Sequence, residues 1–189
     1  MTTVTLRDYE PADGESLRAI YEESFPASLR APWSDLVEHR DDERLHVLVD
    51  TDAAPVGLAL TRRLGDTAMT FVRYLVVDPT RRDRGLGGIL VAELHECLRD
   101  EGVGVLLLDV EQPIGEHAED DHRRIAFYER CGLTLLDVPD YAPPEHGATG
   151  ESVPLLLMGQ VLDGSGPLTG SRLDGAVRAV LLHRYGVES

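Results

Sequence analysis

An α/β fold built on a mixed sheet is what this sequence predicts, and three observations carry that expectation. Runs of β-formers at Leu45–Asp50, Val56–Arg62 and Ala68–Val77 are separated by short turns, as in an antiparallel meander. The pattern then switches to helical spacing between Gly87 and Asp100, with Ile89/Leu90, Leu94 and Cys97/Leu98 on one face. Val105–Val110 follows as a nearly unbroken apolar run, the signature of a strand buried on both faces. Strands alternating with helices in the middle of the chain, between antiparallel stretches, define the class.

The chain opens on a strand at Val4–Leu6, ended by the turn-forming Pro11-Ala12-Asp13-Gly14. Leu17, Ile20, Tyr21 and Ser24/Phe25 then recur at helical spacing until Pro26 stops the helix. A short second helix is expected from Ser34 to Arg40, with Ser34 as its N-cap. Thr51–Pro55 turns the first long strand into the second, and Gly65-Asp66 turns the second into the third. Beyond the buried strand, Glu111–His122 reads as a loop of acids and histidines, and Arg123–Cys131 as a short helix stopped by Gly132. Leu133–Val138 and Pro154–Leu162 complete the strands, with a Pro/Gly loop at Tyr141–Ser152 between them. Residues 1–162 form one domain in this reading, and 163–189 a linker and an amphipathic helix capped by Ser171. The Leu173, Val177, Val180 and Leu181 stripe of that helix needs cover, from its own domain or from a second copy in a homodimer.

The chain has 189 residues, a formal net charge of −16 and a pI of 4.7, and all 18 of its basic side chains are Arg. Such a surface repels a phosphate backbone, which excludes nonspecific DNA binding, and it favours a cationic amine as partner. Cys97 and Cys131 make neither a disulfide framework nor a zinc cluster. The Glu119-Asp120-Asp121-His122 run matches no metal-ligand spacing, so no metal is expected. With no signal segment and no apolar run of membrane-spanning length, the expected compartment is the cytoplasm and no membrane partner is expected.

The most informative stretch is Leu75-Val76-Val77-Asp78-Pro79 followed by Arg82-Asp83-Arg84-Gly85-Leu86-Gly87-Gly88. A helix N-terminus offers unpaired N–H groups and the positive end of a dipole, which together hold a pyrophosphate. Gly85 and Gly87 remove Cβ atoms from its approach, and Arg82 and Arg84 can add charge-assisted contacts. Arg-x-x-Gly-x-Gly, placed between a strand ending Val-Asp-Pro and an amphipathic helix, resembles the signature of the GNAT superfamily of N-acetyltransferases. A second motif, Arg124-Ile125-Ala126-Phe127-Tyr128-Glu129-Arg130-Cys131-Gly132-Leu133, resembles the family segment in which a Tyr-bearing helix precedes the next strand. The likeness covers residues 3 to 162 in element order. It implies six to seven strands, mostly antiparallel and splayed at the centre, with helices on both faces.

The resemblance further implies acetyl-CoA as acyl-donor cosubstrate. Leu75, Val76 and Val77 would hold its pantetheine and thioester by main-chain hydrogen bonds, and Arg82, Arg84, Gly85, Leu86, Gly87 and Gly88 its pyrophosphate. An N–H of Val76 or Val77 would stabilise the developing oxyanion. Tyr128 would protonate the departing thiolate, a task suited to a phenol with a pKa near 10. The family often has Asn at the position of Asp121, and its cofactor contact is not carried over to an acid. Glu111, at the end of the buried strand, is the first candidate for the base that deprotonates the amine, with His117 and His122 as alternatives. Glu22, Phe25, Arg30, Trp33, Tyr141 and His146 are candidates for the acceptor pocket, which such folds line with the first helix pair and the late loop. The expected reaction is acetyl transfer to a primary amine of a small molecule by direct attack. The competing classes are a transferase using a longer acyl-CoA or aminoacyl-tRNA, and a noncatalytic CoA-binding domain.

Overall fold

The computed structural model describes residues 3–27, 30–38, 40–82, 84–144 and 154–187. The alternation read in the sequence becomes seven strands among these residues: β1 (Val4–Asp8), β2 (Glu43–Asp50), β3 (Pro55–Arg63), β4 (Met69–Val77), β5 (Val105–Glu111), β6 (Thr134–Leu135) and β7 (Leu155–Val161). They lie side by side in the order β1-β2-β3-β4-β5-β7-β6. Every pairing is antiparallel except β4 with β5.

Period-two burial sorts the side chains to two faces. On β5, Val105 and Leu107 face one cluster and Leu106, Leu108 and Val110 the other. The first face is covered by α1 (Gly14–Ser24), the short α2 (Trp33–Val37) and α5 (Gly170–Ala179). The second is covered by α3 (Leu86–Asp100) and α4 (Ala118–Arg130). A π-helical turn at Val180–Arg184 extends α5.

Several boundaries differ from expectation for identifiable reasons. The short helix α2 begins one residue early, with Pro32 rather than Ser34 at its N-cap, and ends at Val37. Helix α4 begins at Ala118, inside what reads as an acidic loop. Glu119, Asp120 and Asp121 occupy its first turn, where carboxylates complement the helix dipole. The strand expected over Leu133–Val138 keeps ladder pairing only at Thr134–Leu135. Thr169, not Ser171, precedes the last helix. That helix packs within the chain: Val180 of the expected stripe is buried with Ala176 and Ala179 against Leu64, Phe71, Leu107 and Leu157, while Leu173 and Val177 are half-buried. That contact covers the helix from its own domain, one of the two alternatives the sequence offers. His146 and most of the Tyr141–Ser152 loop lie outside the described residues.

Candidate active site

The only parallel ladder in the described sheet is short. Met69, Thr70 and Phe71 register with Val105, Leu106 and Leu107, and the pairing ends there. Beyond it β4 and β5 diverge, so the rest of β4 has no partner on that side. A bulge sits at the divergence: Leu60 pairs with Tyr74 and Thr61 with Val72, leaving Arg73 as the extra residue. Beyond the bulge the alternation resumes. Asp78 donates its N–H to the Val56 carbonyl at 2.9 Å. The two-residue repeat of an antiparallel ladder therefore turns the main chain of Val76 toward β3, and that of Leu75 and Val77 toward the gap.

The gap opens into a cavity of about 740 Å³ that takes residues from both faces of the sheet. From the α3/α4 face come Leu75, Arg124 and Tyr128; from the α1/α2/α5 face come Phe25, Arg30, Tyr74, Asp109 and Arg184. It is therefore a slot through the sheet, with two ends of different construction.

At one end stands the N-terminus of α3. Gly85 takes φ +74°, a left-handed conformation that only glycine adopts freely, and no side chain caps the first turn. The first helical bond is Ile89 N–H to Gly85 O at 3.2 Å, which leaves the N–H groups of Leu86, Gly87 and Gly88 without helical partners. The two nearby glycines differ. A Cβ on Gly88 would meet nothing within 4 Å, whereas one on Gly87 would lie 3.1 Å from the Phe127 ring. Gly87 thus permits close packing of α3 on α4, a role the sequence reading assigned to phosphate approach. The Leu86 side chain is core, so only its main chain faces outward. Arg81 is occupied by Asp50 at 2.7 Å, while Arg82 and Arg84 form no ion pair among the described residues. Arg82 also lines the cavity. Asp83 lies outside the described residues.

Helix α4 presents Asp121, Arg124 and Tyr128 along one stripe, as i, i+3 and i+7 residues must be. Arg124 pairs with Glu111 and lies 3.7 Å from Asp121. Burial, followed by the charge of Glu111, pushes the Asp121 carboxyl above the usual carboxylate range. Tyr128 packs edge-on to Phe127 at 5.1 Å, and its hydroxyl has no hydrogen-bond partner among the described residues. Burial pushes its pKa up to about 12, so the phenol stays protonated at neutral pH.

The other end is built from distant parts of the chain. Asp109 accepts hydrogen bonds from Tyr141 at 2.8 Å and from Tyr185, which the C-terminal helix delivers. Burial outweighs those bonds and raises its carboxyl to about 6. Arg184 lies over both the Phe71 and Tyr185 rings, 5.7 and 5.0 Å from their centroids. Arg73 is paired with Glu43 at 2.6 Å. Tyr21 and Tyr74 pin the connection between α1 and α2: the Tyr21 hydroxyl donates to Ala31 O, and the Ala31 N–H donates to the Tyr74 oxygen, each at 3.0 Å.

The cavity unites Leu75, Val76, Arg82, Glu111, Tyr128, Phe25 and Arg30 of the residues singled out from sequence. Val77 backs it from the core, and Tyr141 acts on it through Asp109. Glu22 and Trp33 stand elsewhere. Glu22 pairs with Arg18 at 3.0 Å, and Trp33 turns into a ring cluster with Tyr9 and Tyr21. His117 and His122 are exposed and outside the cavity lining. Asp109, Arg73, Tyr74, Arg184 and Tyr185 were missed. The one local signal for any of them is a single acid inside the apolar run Val105–Val110.

This geometry, a splayed parallel pair beside a glycine-opened helix N-terminus, is that of an acyltransferase fold. The chain belongs to the acetyltransferase (GNAT) family, whose model matches residues 14–133. Among solved structures it is similar to a protein from Bacteroides thetaiotaomicron assigned to that family, with a TM-score of 0.75 and 23% identity. That match covers 97% of this chain and 99% of the other, too much for the C-terminal helix to lie outside it. The ribosomal-protein-S18-alanine N-acetyltransferase of Escherichia coli matches with a TM-score of 0.62 and 19% identity, over 89% and 99% of the two chains. The spermidine N-acetyltransferase of Vibrio cholerae, solved with CoA and spermine, matches with a TM-score of 0.66 and 16% identity, over 84% and 95%. At these identities the likeness is one of fold. No curated protein sequence matches the chain. No helix among the described residues is long and apolar enough to cross a membrane.

Proposed function

We infer that the protein moves the acetyl group of acetyl-CoA to a primary amine of a small molecule, by direct attack in a ternary complex. The observation that carries this reading is the loss of β4–β5 pairing after Phe71, which leaves a main-chain edge facing a slot with the Tyr128 phenol on one side and the Asp109 carboxyl on the other. Bound acetyl-CoA supplies an activated acyl carbon and a thiolate leaving group.

The chain's own groups fit that cosubstrate. The unpaired amides of Leu86, Gly87 and Gly88, with Arg82 and Arg84, suit a pyrophosphate. The gap-facing main chain of Leu75 and Val77 suits an extended amide-bearing arm, as an added strand would. The same edge offers an N–H to the carbonyl oxygen as it gains negative charge. Tyr128 donates its proton to the sulfur as the carbon–sulfur bond breaks. The amine forms the new carbon–nitrogen bond and gives up a proton. We assign that proton to Asp109 in preference to Glu111, because Arg124 already engages Glu111 and burial raises the Asp109 carboxyl to about 6, which makes it the better proton acceptor.

Calorimetric titration with acetyl-CoA, followed by a thiol-release assay over an amine panel, tests the reading. Binding together with amine-dependent thiol release supports it. A folded protein that binds no acetyl-CoA contradicts it.

A further inference from the structure

The overall charge of the chain and the charge of the cavity's described lining have opposite signs. The chain carries −16, yet among the described residues five Arg line the slot against two carboxylates, Asp109 and Glu111. Four of those arginines are accounted for. Arg124 is engaged by Glu111, and Arg73 by Glu43. Arg30 donates to the carbonyls of Glu22 and Phe25 at 2.6 and 3.2 Å, and Arg82 stands at the α3 end.

Arg184 is the exception. It forms no ion pair and donates no hydrogen bond among the described residues, and its Nε is buried without a partner. Asp109 lies within its field, but both carboxylate oxygens there accept from tyrosine hydroxyls. Burial lowers the guanidinium's pKa, the mark of a cation in an unfavourable site. Two aromatic rings hold it in place while it lines the cavity. A buried, pre-positioned guanidinium with open donors is built for an oxyanion, which its planar fork meets through two parallel bonds.

Resting on the transferase reading, we propose that the acceptor is an amino-acid-like molecule that carries a carboxylate beside its primary amine, with Arg184 holding the carboxylate and Asp109 facing the amine. A polycation such as spermidine has nothing to offer Arg184 and is repelled by it. The specificity residue comes from the π-helical turn at the C-terminus, beyond the family match that ends at residue 133. Acceptor choice is thus set by a segment separate from the one that faces the acyl donor.

The test is thiol release from acetyl-CoA with the common L-amino acids, their amides, the matching decarboxylated amines and spermidine. At least one free acid will be preferred to its own amide by about tenfold or more in kcat/KM, because losing the anion leaves a buried donor unpaired. Arg184→Met, which keeps the stacked stem and deletes the charge, will raise KM for that acid by about tenfold or more. It will leave kcat within about threefold, and KM for the amide within about twofold. Arg184→Gln will do the same if the Met variant fails to fold. Preference for amides, plain amines or spermidine over every acid overturns the proposal, and so does an acid preference that both variants retain. A protein that binds acetyl-CoA but acetylates no member of the panel also overturns it, while leaving the donor site standing. Failure to bind acetyl-CoA removes the transferase reading itself, a different result in a different assay.

Discussion

The two ends of the slot are made in opposite ways. The α3 end is contiguous: Leu75 to Gly88 supply the free strand edge, the bare helix N-terminus and Arg82 and Arg84, which form no ion pair among the described residues, within one strand-to-helix crossing. The far end gathers Arg30, Arg73, Asp109, Tyr141, Arg184 and Tyr185 from five separate segments, and only the packing of α5 on the sheet brings the last two there. A contiguous site is fixed by local backbone geometry, and an assembled one by tertiary contacts. Chemistry that every relative shares can reside in the first kind, whereas the acceptor site can be rebuilt by changing a few distant side chains. Variants at the two ends will accordingly fail in different ways.

The largest effect is expected at Tyr128, between the two ends. Tyr128→Phe keeps the ring packing against Phe127 and removes only the hydroxyl. General-acid help is worth roughly a hundredfold to ten-thousandfold, and a water can replace part of it, so kcat will fall by at least about tenfold. Acetyl-CoA affinity will stay within about twofold, since the hydroxyl acts only as the thiolate departs. An unchanged kcat where chemistry limits the rate returns Tyr128 to packing alone.

Next comes the acid limb of the pH profile. With Asp109 at about 6, kcat/KM will fall about tenfold per pH unit below that value, because only the carboxylate accepts a proton. Asp109→Asn will lower activity and abolish the limb. If the limb survives in Asp109→Asn and vanishes in Glu111→Gln, the base is the residue read from the sequence.

Stability moves over the same range and has to be separated from that limb. His46, held by Thr61 at 3.0 Å, and His95 are buried and pushed down to about 4. A depressed histidine means the folded state binds the proton more weakly. Each therefore costs up to about 3 kcal/mol as pH falls from about 6.5 to 4. Asp13, held low by Arg7, acts in the same direction, and the raised Asp109 acts in the opposite one. Denaturant midpoints will decline toward pH 4. A protein still fully folded at pH 5.5 without denaturant assigns any loss of rate there to the active site.

The smallest effects are expected at two residues that the sequence placed in the acceptor pocket. Trp33→Phe and Glu22→Gln will change acceptor KM by less than about twofold, because neither side chain lines the slot. A larger change would mean that the acceptor reaches past Phe25 into the α1–α2 surface.

What the sequence revealed follows the same division. Period-two and helical patterns located all seven strands and the long α3, and the Gly85–Gly88 run marked the helix N-terminus. Asp109 was hidden in plain view: an acid in a run otherwise suited to burial needs partners, and Tyr141 and Tyr185 are those partners. Nothing local in Arg184-Tyr185 announces a site, because its role exists only once Ala176, Ala179 and Val180 seat the helix on the sheet. The acids of Glu119–Asp121 misled in the other direction, since a polar run before an apolar stripe can equally be a loop or a first turn. Gly87 belongs to both ends of that lesson: the glycine was legible, and its Phe127 neighbour was not.

Acetyl-CoA affinity by calorimetry, in the parent, Gly88→Asp and Arg184→Met, tests the division of the slot most directly. Gly88 has open space at its Cβ, so an Asp there fits, favours the helix start and sets a carboxylate at the proposed pyrophosphate site. The account predicts affinity weakened by at least about tenfold, or 1.4 kcal/mol, in Gly88→Asp, and unchanged within about twofold in Arg184→Met. Unchanged binding in a folded Gly88→Asp, or a tenfold loss in Arg184→Met, would contradict it.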